Sequence, residues 1–293
     1  MAQQIIDTVT DHGTYKGDPA KIAFEKSNGN FSELYLRSKK NLLINARMRV
    51  NLRKTFTGGA LAANVYGYDR FKAGAGGCSI SADQVTGVVT HSAGSIVQVI
   101  EDARIAGRTV CFSVEDPTAA ISVTVAGVSG TIAAGVGRRG VALAVPEGAT
   151  GNVSASWSAT GATYRLPQLE VGDAPSSFEW TDIATDIALC ERYCQAFTWD
   201  AGSAFAMALV LDASTGIAWL DFPTMRITPT ARIIGGLQMT GGGPVSSPAA
   251  PTLLPSSPAN MAMLLVVQGK TPGAAGYFNP SAGGATIILE AEL

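Results

Sequence analysis

Paired carboxylates, histidines and cysteines are the side chains through which this chain could make or break bonds, and their spacing narrows the choice. Glu101-Asp102 and Glu115-Asp116 are adjacent acidic pairs. Glycoside hydrolysis needs two carboxyl groups about 5 to 10 Å apart, a separation the sequence neither shows nor excludes. Glu115-Asp116 stands at a strand end before Pro117, so these pairs read as solvated turn charges. His12 and His91 lie in polar surroundings and read as exposed side chains. No Gly-x-Ser-x-Gly elbow, phosphate loop, His-Glu-x-x-His or dinucleotide fingerprint is present. Cys190 and Cys194 are four apart in a helix-like segment, but a metal would need two more ligands and both histidines are distant. With Cys78 and Cys111 they read as small buried residues. The expectation is therefore a protein that is not an enzyme.

The elements that would position any site are strands. A chain of 293 residues with 46% hydrophobic and 15% charged residues can fill two cores. Its 33 glycines, and short apolar runs punctuated by Gly, Pro and Asp, are the pattern of an all-β chain. Strands are expected at 43–50, 95–100, 109–114, 120–125, 140–145, 152–158 and 162–169. Ile121, Val123 and Val125 alternate with Ser122 and Thr124, so one face is buried. Seven such strands without intervening helices favour a sandwich and exclude βαβ winding. Trp157 shares the parity of Val153 and Ala155 and is expected in the core.

Charge and hydropathy exclude further classes. The formal net charge is −2 and the basic pairs Lys39-Lys40 and Arg138-Arg139 are isolated, so no basic face is present to displace counterions from nucleic acid. Residues 1–4 carry no basic region and no apolar core follows, so no signal peptide is expected. No window approaches the roughly 18 apolar residues of a spanning helix, so membrane insertion is not expected either.

Two segments depart from the strand pattern. Asp18-Pro19 reads as a helix start, and over 20–36 the residues Phe24, Phe31 and Tyr35 form one stripe with Ile22 and Leu34 beside it. A short helix interrupted by Ser27-Asn28-Gly29 needs a partner to cover that stripe. The cover is either the chain's own β domain or other copies and particle proteins. Residues 181–195 read as a second helix, capped by Asp182 or Thr185, with Ile183, Ile187, Cys190 and Cys194 on one face. Beyond it Phe205, Met207, Leu209 and Leu211 alternate with Ala204, Ala206, Ala208 and Val210, apolar on both faces, as in a central strand. The Gly-, Pro- and Ser-rich stretches 241–259 and 273–284 read as exposed loops. Tyr277 and Phe278, between glycines, and Trp199, before 204, are thereby candidates for ligand binding.

Several motifs together resemble a known group of proteins. Asn41-Leu42-Leu43-Ile44-Asn45, Gly67-Tyr68-Asp69-Arg70-Phe71 and the closing Gln168-Leu169-Glu170-Val171-Gly172 resemble strands of a carbohydrate-binding-module-like jelly roll over about 41–181. Phe222-Pro223-Thr224-Met225-Arg226-Ile227-Thr228-Pro229-Thr230 and the final 286–293 resemble the terminal domain that follows it in bacteriophage tail-fibre and related virion fibre proteins. The resemblance implies a jelly-roll β-sandwich (41–181), a second, distal receptor-binding β-sandwich (182–293) and a helical attachment and oligomerisation arm (1–40) carrying Phe24, Phe31, Leu34 and Tyr35. It implies a homo-oligomeric fibre or spike of a phage or phage-like particle, gene transfer agents included, on head or tail. Its partners would be other virion proteins and bacterial surface polysaccharide. Such jelly rolls stack aromatic rings on sugars, which adds Tyr66 and Tyr68 to the candidates; Phe71 is expected to be a core anchor. No cofactor is implied beyond a structural calcium, for which Asp69, Asp83, Glu170 and Asp173 are the available carboxylates. The rival readings are a carbohydrate-active enzyme or its accessory module, and a connector without ligand.

Overall fold

The computed structural model describes residues 6–11, 13, 16–27, 40–54, 56–246, 249 and 251–293. The protein is nearly all β, two curled sheets with two short helices. The first helix, α1, covers 20–27. Asp18, expected to cap it, accepts instead from Lys26 Nζ at 2.6 Å and from the Asp7 N–H at 2.9 Å. Phe24 on α1 is 69% exposed. Phe31, Leu34 and Tyr35 lie outside the described residues.

The first sheet contains β1 (Gly59–Leu61), β2 (Lys72–Ala82), β3 (Val88–Ile100), β4 (Thr109–Glu115), β5 (Ile121–Val125), β6 (Val128–Ile132), β7 (Arg138–Ala144), β8 (Val153–Ser158) and β9 (Ala162–Val171). Its order is β6-β5-β8-β3-β9-β4-β7, with β2 on the other side of β3 and β1 on β2. The long β3 pairs with β9 through Val88–His91 and with β8 through Ser95–Ile100, so one strand serves both layers and the sheet folds over on itself. The bend falls at Gly94. Its φ is +76°, and a Cβ there would stand 2.3 Å from the Gly77 carbonyl oxygen, so only glycine fits. The two ends of the sheet meet where β6 packs on β7: a Cβ on Gly130 would lie 2.6 Å from Val141 Cγ2.

Between the layers the alternating residues make the core. Ile121, Val123, Val125, Val153, Ala155, Val110, Phe112 and Val114 are all buried. Trp157 is at their centre, edge-on to Phe71 at 5.8 Å and tilted against Phe112 at 4.9 Å. One expected strand is absent. Residues 43–50 form a compact buried turn, because Asn45 (φ +55°) donates to and accepts from the Val50 backbone through its own side chain. Leu43, Met48 and Val50 still fill the core from this turn.

The second helix, α2 (Ile183–Glu191), is capped by Asp182, whose carboxylate accepts from the Thr185 N–H at 3.0 Å. It ends sooner than its apolar pattern suggests. Cys194 belongs to a strand, because pairing with Glu290 takes the backbone that another helical turn would use. All four cysteines are buried and free.

The second sheet comprises β10 (Cys194–Trp199), β11 (Ala206–Asp212), β12 (Thr215–Asp221), β13 (Thr230–Thr240), β14 (Thr252–Pro255), β15 (Asn260–Val266) and β16 (Ala275–Glu290). Its order is β10-β16-β11-β12-β15-β14, with β13 on the far side of β16. A bridge between Leu237 and Ala249 brings the β14 end back to β13, so the sheet curls nearly into a barrel. Leu237, Met239, Met261, Met263, Leu265, Phe278, Ile287 and Leu289 fill it. Both expected loops are corrected in part. Within 241–259, Thr252–Pro255 is the outer strand β14, where proline is tolerated because one side of the strand needs no ladder partner. Within 273–284, Ala275 onward is β16, since Gly276 and its neighbours pair with β11 on one side and β13 on the other.

Candidate functional site

Where β10 ends, the aromatic candidate Trp199 stands beside a surface cleft. Trp199 is the last residue of β10 rather than a loop residue, and it is half-buried. Phe205 stacks on it with ring centroids 4.0 Å apart and planes 20° from parallel, and Phe197 lies 6.0 Å away at 15°. The adjoining cleft has a volume of about 220 Å³ and is walled by Thr198–Ala201 on one side and by Ile234–Gly235 and Gly283–Thr286 on the other. Thr198 and Thr286, paired across β10 and β16, place their hydroxyls 3.1 Å apart at this wall. Asp200 adds an exposed carboxylate. Two hydroxyls, a carboxylate and bare glycine backbone can hydrogen-bond the hydroxyls of a sugar ring, whereas the Trp199 ring stacks with Phe205 and Phe197 against the core on the other face of β10. The volume is below the ~300 Å³ of common small-molecule pockets, so it suits one ring with the rest of a glycan outside.

The other candidates are dispersed. Phe278 is fully buried in the second core, where no ligand reaches it. Tyr277, next to it in β16, points the other way and is 38% exposed, paired with Met207. Tyr68 is likewise core, edge-on to Phe56 at 5.2 Å, with its hydroxyl accepting from the Ala82 N–H at 2.9 Å. Tyr66 is committed to the junction between the sheets, donating to the Leu293 carbonyl at 2.7 Å.

That junction is a buried clasp. The Arg53 guanidinium, 2% exposed, reaches Asp69 at 2.5 Å, Glu290 at 2.7 Å and Glu292 at 3.1 Å. Arg70 binds the other Glu292 oxygen, donates to the Val99 carbonyl at 2.6 Å and lies 3.5 Å over the Tyr193 ring. Asp69 also accepts from the Leu52 N–H. Burial pushes its carboxyl up against the pull of Arg53. Fully desolvated charges persist only with partners of this quality, so the clasp fixes one sheet against the other. Beside it, Glu101 takes Arg192 at 3.0 Å and the Tyr193 hydroxyl at 2.9 Å. Burial raises the Glu101 carboxyl, but these donors outweigh it and hold it below its ordinary range.

The closing Gln168-Leu169-Glu170 motif serves architecture. Strand β9 lies between β3 and β4 rather than at an edge. Leu169 faces the core, whereas Gln168 and Glu170 point to a second buried layer. Gln168 donates to Glu170 at 2.9 Å and accepts from the Glu179 N–H at 2.8 Å; Glu170 accepts from the Ser176 N–H at 2.9 Å and from its hydroxyl. Glu179 in turn accepts from the Lys40 N–H at 3.1 Å and from the Asn41 N–H. The motif thus ties down the chain entering and leaving the first sheet.

His91 is buried, not exposed. Its Nε2 lies 3.0 Å from the Gly94 carbonyl and its Nδ1 3.2 Å from the Tyr164 hydroxyl, which accepts from Trp157 Nε1 at 2.8 Å. A neutral ring with its proton on Nε2 satisfies every member, and burial holds the imidazole below its ordinary pKa. The acidic pairs are less solvated than expected: Glu101 is held by Arg192 and Tyr193, Glu115 ends β4, and Asp116 in the turn beyond accepts from the Gly137 N–H at 2.6 Å and pairs with Arg165 at 2.6 Å. Of the four carboxylates weighed for calcium, Asp69 is in the clasp, Glu170 in the β9 layer, Asp83 holds the Val85 N–H at 2.8 Å, and Asp173 is exposed just beyond β9. Among the described residues no group of three or more His, Cys, Asp or Glu is placed to hold a metal ion. No described helix is long and apolar enough to cross a membrane.

No family model matches this chain, and no curated protein does. Among solved structures, salicylate 1,2-dioxygenase from Pseudaminobacter salicylatoxidans is found at 8% identity with a TM-score of 0.11, covering 68% of this chain and 71% of that one. A glycine-to-alanine mutant of that enzyme in complex with gentisate is found at 10% identity and the same TM-score, covering 96% and 93%. Likenesses this low carry no argument about this chain.

Proposed function

We propose that this chain is a non-enzymatic fibre or spike protein of a phage or phage-like particle, homo-oligomeric, that attaches the particle to bacterial surface polysaccharide. The observation that carries the attachment reading is the cleft at the end of β10, lined by the paired Thr198 and Thr286 hydroxyls, the exposed Asp200 and bare glycine backbone. The rigid clasp at Arg53 supports it, because a distal module held firmly on its neighbour transmits load from a bound surface. Attachment of the other end to particle proteins rests on the resemblance of the arm, in which Phe24 is left exposed on α1. The virion setting rests on the resemblance of the Gln168–Gly172 and Phe222–Thr230 motifs to virion fibre proteins.

Incubating the full chain with capsule or lipopolysaccharide from a host bacterium tests this directly. Retention of the polysaccharide without new reducing ends is expected. Release of reducing ends makes the chain a hydrolase, and no retention from any host leaves a structural connector.

A further inference from the structure

The outer face of the second sheet is apolar across five neighbouring strands. Leu254 on β14, Ala262 on β15 and Trp219 on β12 follow one another in register, and Met207 on β11 pairs with Tyr277 on β16. A second row runs through Thr252, Leu264, Ile217, Leu209 and Ala275. Neither row contains a charged side chain. Met207 is 80% exposed and Trp219 57%, and Leu209, Leu211, Leu254, Val266 and Tyr277 are exposed with them. A solvated sheet face ordinarily alternates apolar-in with polar-out; here the outward positions are as apolar as the inward ones.

We propose that this face docks a second copy of this chain. Taking about 200 Å² for a fully exposed large side chain, the seven exposed residues present roughly 750 Å². That exceeds the ~300–600 Å² of the largest apolar patch on a typical monomer and matches the ~800 Å² per partner of a standard interface. The chemistry selects the occupant. A glycan would find almost no hydrogen-bonding groups in the two rows. An anionic bilayer would want a basic rim, whereas the charges flanking these strands are Asp212 and Asp221, both exposed. A surface rich in Met, Leu and Trp with no charge to complement is suited to its own kind, and Trp and Met are enriched at protein interfaces. The proposal deepens the homo-oligomer part of the reading above and is independent of the glycan part, which is measured separately as polysaccharide retention.

Sedimentation of the full chain between about 1 and 100 μM covers the weak end of standard interfaces. Wild type is expected to self-associate in that range. The double variant Met207→Glu/Trp219→Glu should weaken association at least tenfold while its circular dichroism melt is kept, because both side chains face outward. Val136→Ser, at an exposed position of the first sheet's loops, should leave this association in place. In parallel, hydroxyl-radical oxidation of wild-type Met207 should slow several-fold at high concentration, a readout that does not depend on any variant folding. A chain monomeric throughout the range, an association unchanged by the two glutamates, or Met207 oxidation independent of concentration would each overturn the proposal.

Discussion

Replacing Arg53 by Met is the sharpest perturbation of the frame that carries the proposed site. The methionine stem keeps much of the packing over Tyr66 but removes the guanidinium that reaches Asp69, Glu290 and Glu292. Asp69 is fully buried, so it cannot turn to water for compensation. Breaking a buried pair on one side costs about 3–5 kcal/mol, since the remaining charge stays desolvated. At about 2–4 °C per kcal/mol for a unit of this size, the midpoint should fall by roughly 10 °C. Urea and thermal unfolding at neutral pH read this, and the deficit should change little with salt, because buried pairs are poorly screened. Arg53→Met/Asp69→Asn should lose less than the two single variants together, as the second change removes the stranded charge. A loss below about 1 kcal/mol for Arg53→Met, the size of an exposed pair, would refute the clasp.

Three further outcomes follow from other parts of the molecule. Because burial holds His91 below its ordinary pKa, the unfolded chain takes up its proton first; the stability His91 gives is full above about pH 6.5 and falls at up to ~1.4 kcal/mol per pH unit below it. His91→Phe should flatten the stability profile between neutral and mildly acid pH in urea titrations, and an unchanged slope would dismiss the buried neutral ring. Gly130→Val drives its side chain into Val141 and Leu143 and should cost about 1–3 kcal/mol by the same unfolding measurement. Phe278→Ala should cost about 3–5 kcal/mol by opening the second core, whereas Tyr277→Ala, on the outer face, should cost far less; equal losses would contradict the opposite facing of these neighbours.

Much of the fold is legible where one physical signal dominates. Ile121, Val123 and Val125 alternate because one face is buried, and the structure buries all three. Trp157 reads as core for the same reason. The signal fails where glycine and proline carry two meanings. Residues 72–82, with four small residues at Ala73–Gly76, have no alternation to see, yet they pair as β2 because β3 supplies the partner. Tyr277 and Phe278 look like loop aromatics for the glycines around them, but partners on both sides make their segment a strand. His91 reads as exposed because its partners, Tyr164 and Trp157, are some seventy residues away in sequence. The clasp gives the faintest signal in the sequence. Its trace was present as Asp69-Arg70 between the core residues Tyr68 and Phe71, and as Glu290 and Glu292 closing the apolar run Ile287–Leu289; charges flanked this closely by core positions are drawn into burial with each other. Of the aromatic candidates Trp199 ends the strand that borders a cleft, and the pairing of Thr198 with Thr286 there is set by the β10–β16 register.

Calorimetric titration of the full chain with the host surface polysaccharide, wild type against Asp200→Asn, tests the proposed attachment most directly. Asp200 is exposed, so the substitution leaves the fold intact and removes only the charge at the cleft. Hydrogen bonds to a charged group contribute about 1.5–3 kcal/mol, so saturable binding by wild type should weaken roughly 10- to 100-fold in the variant, with no reducing ends released from either. Binding that the variant leaves unchanged, or cleavage of the polysaccharide, would contradict it.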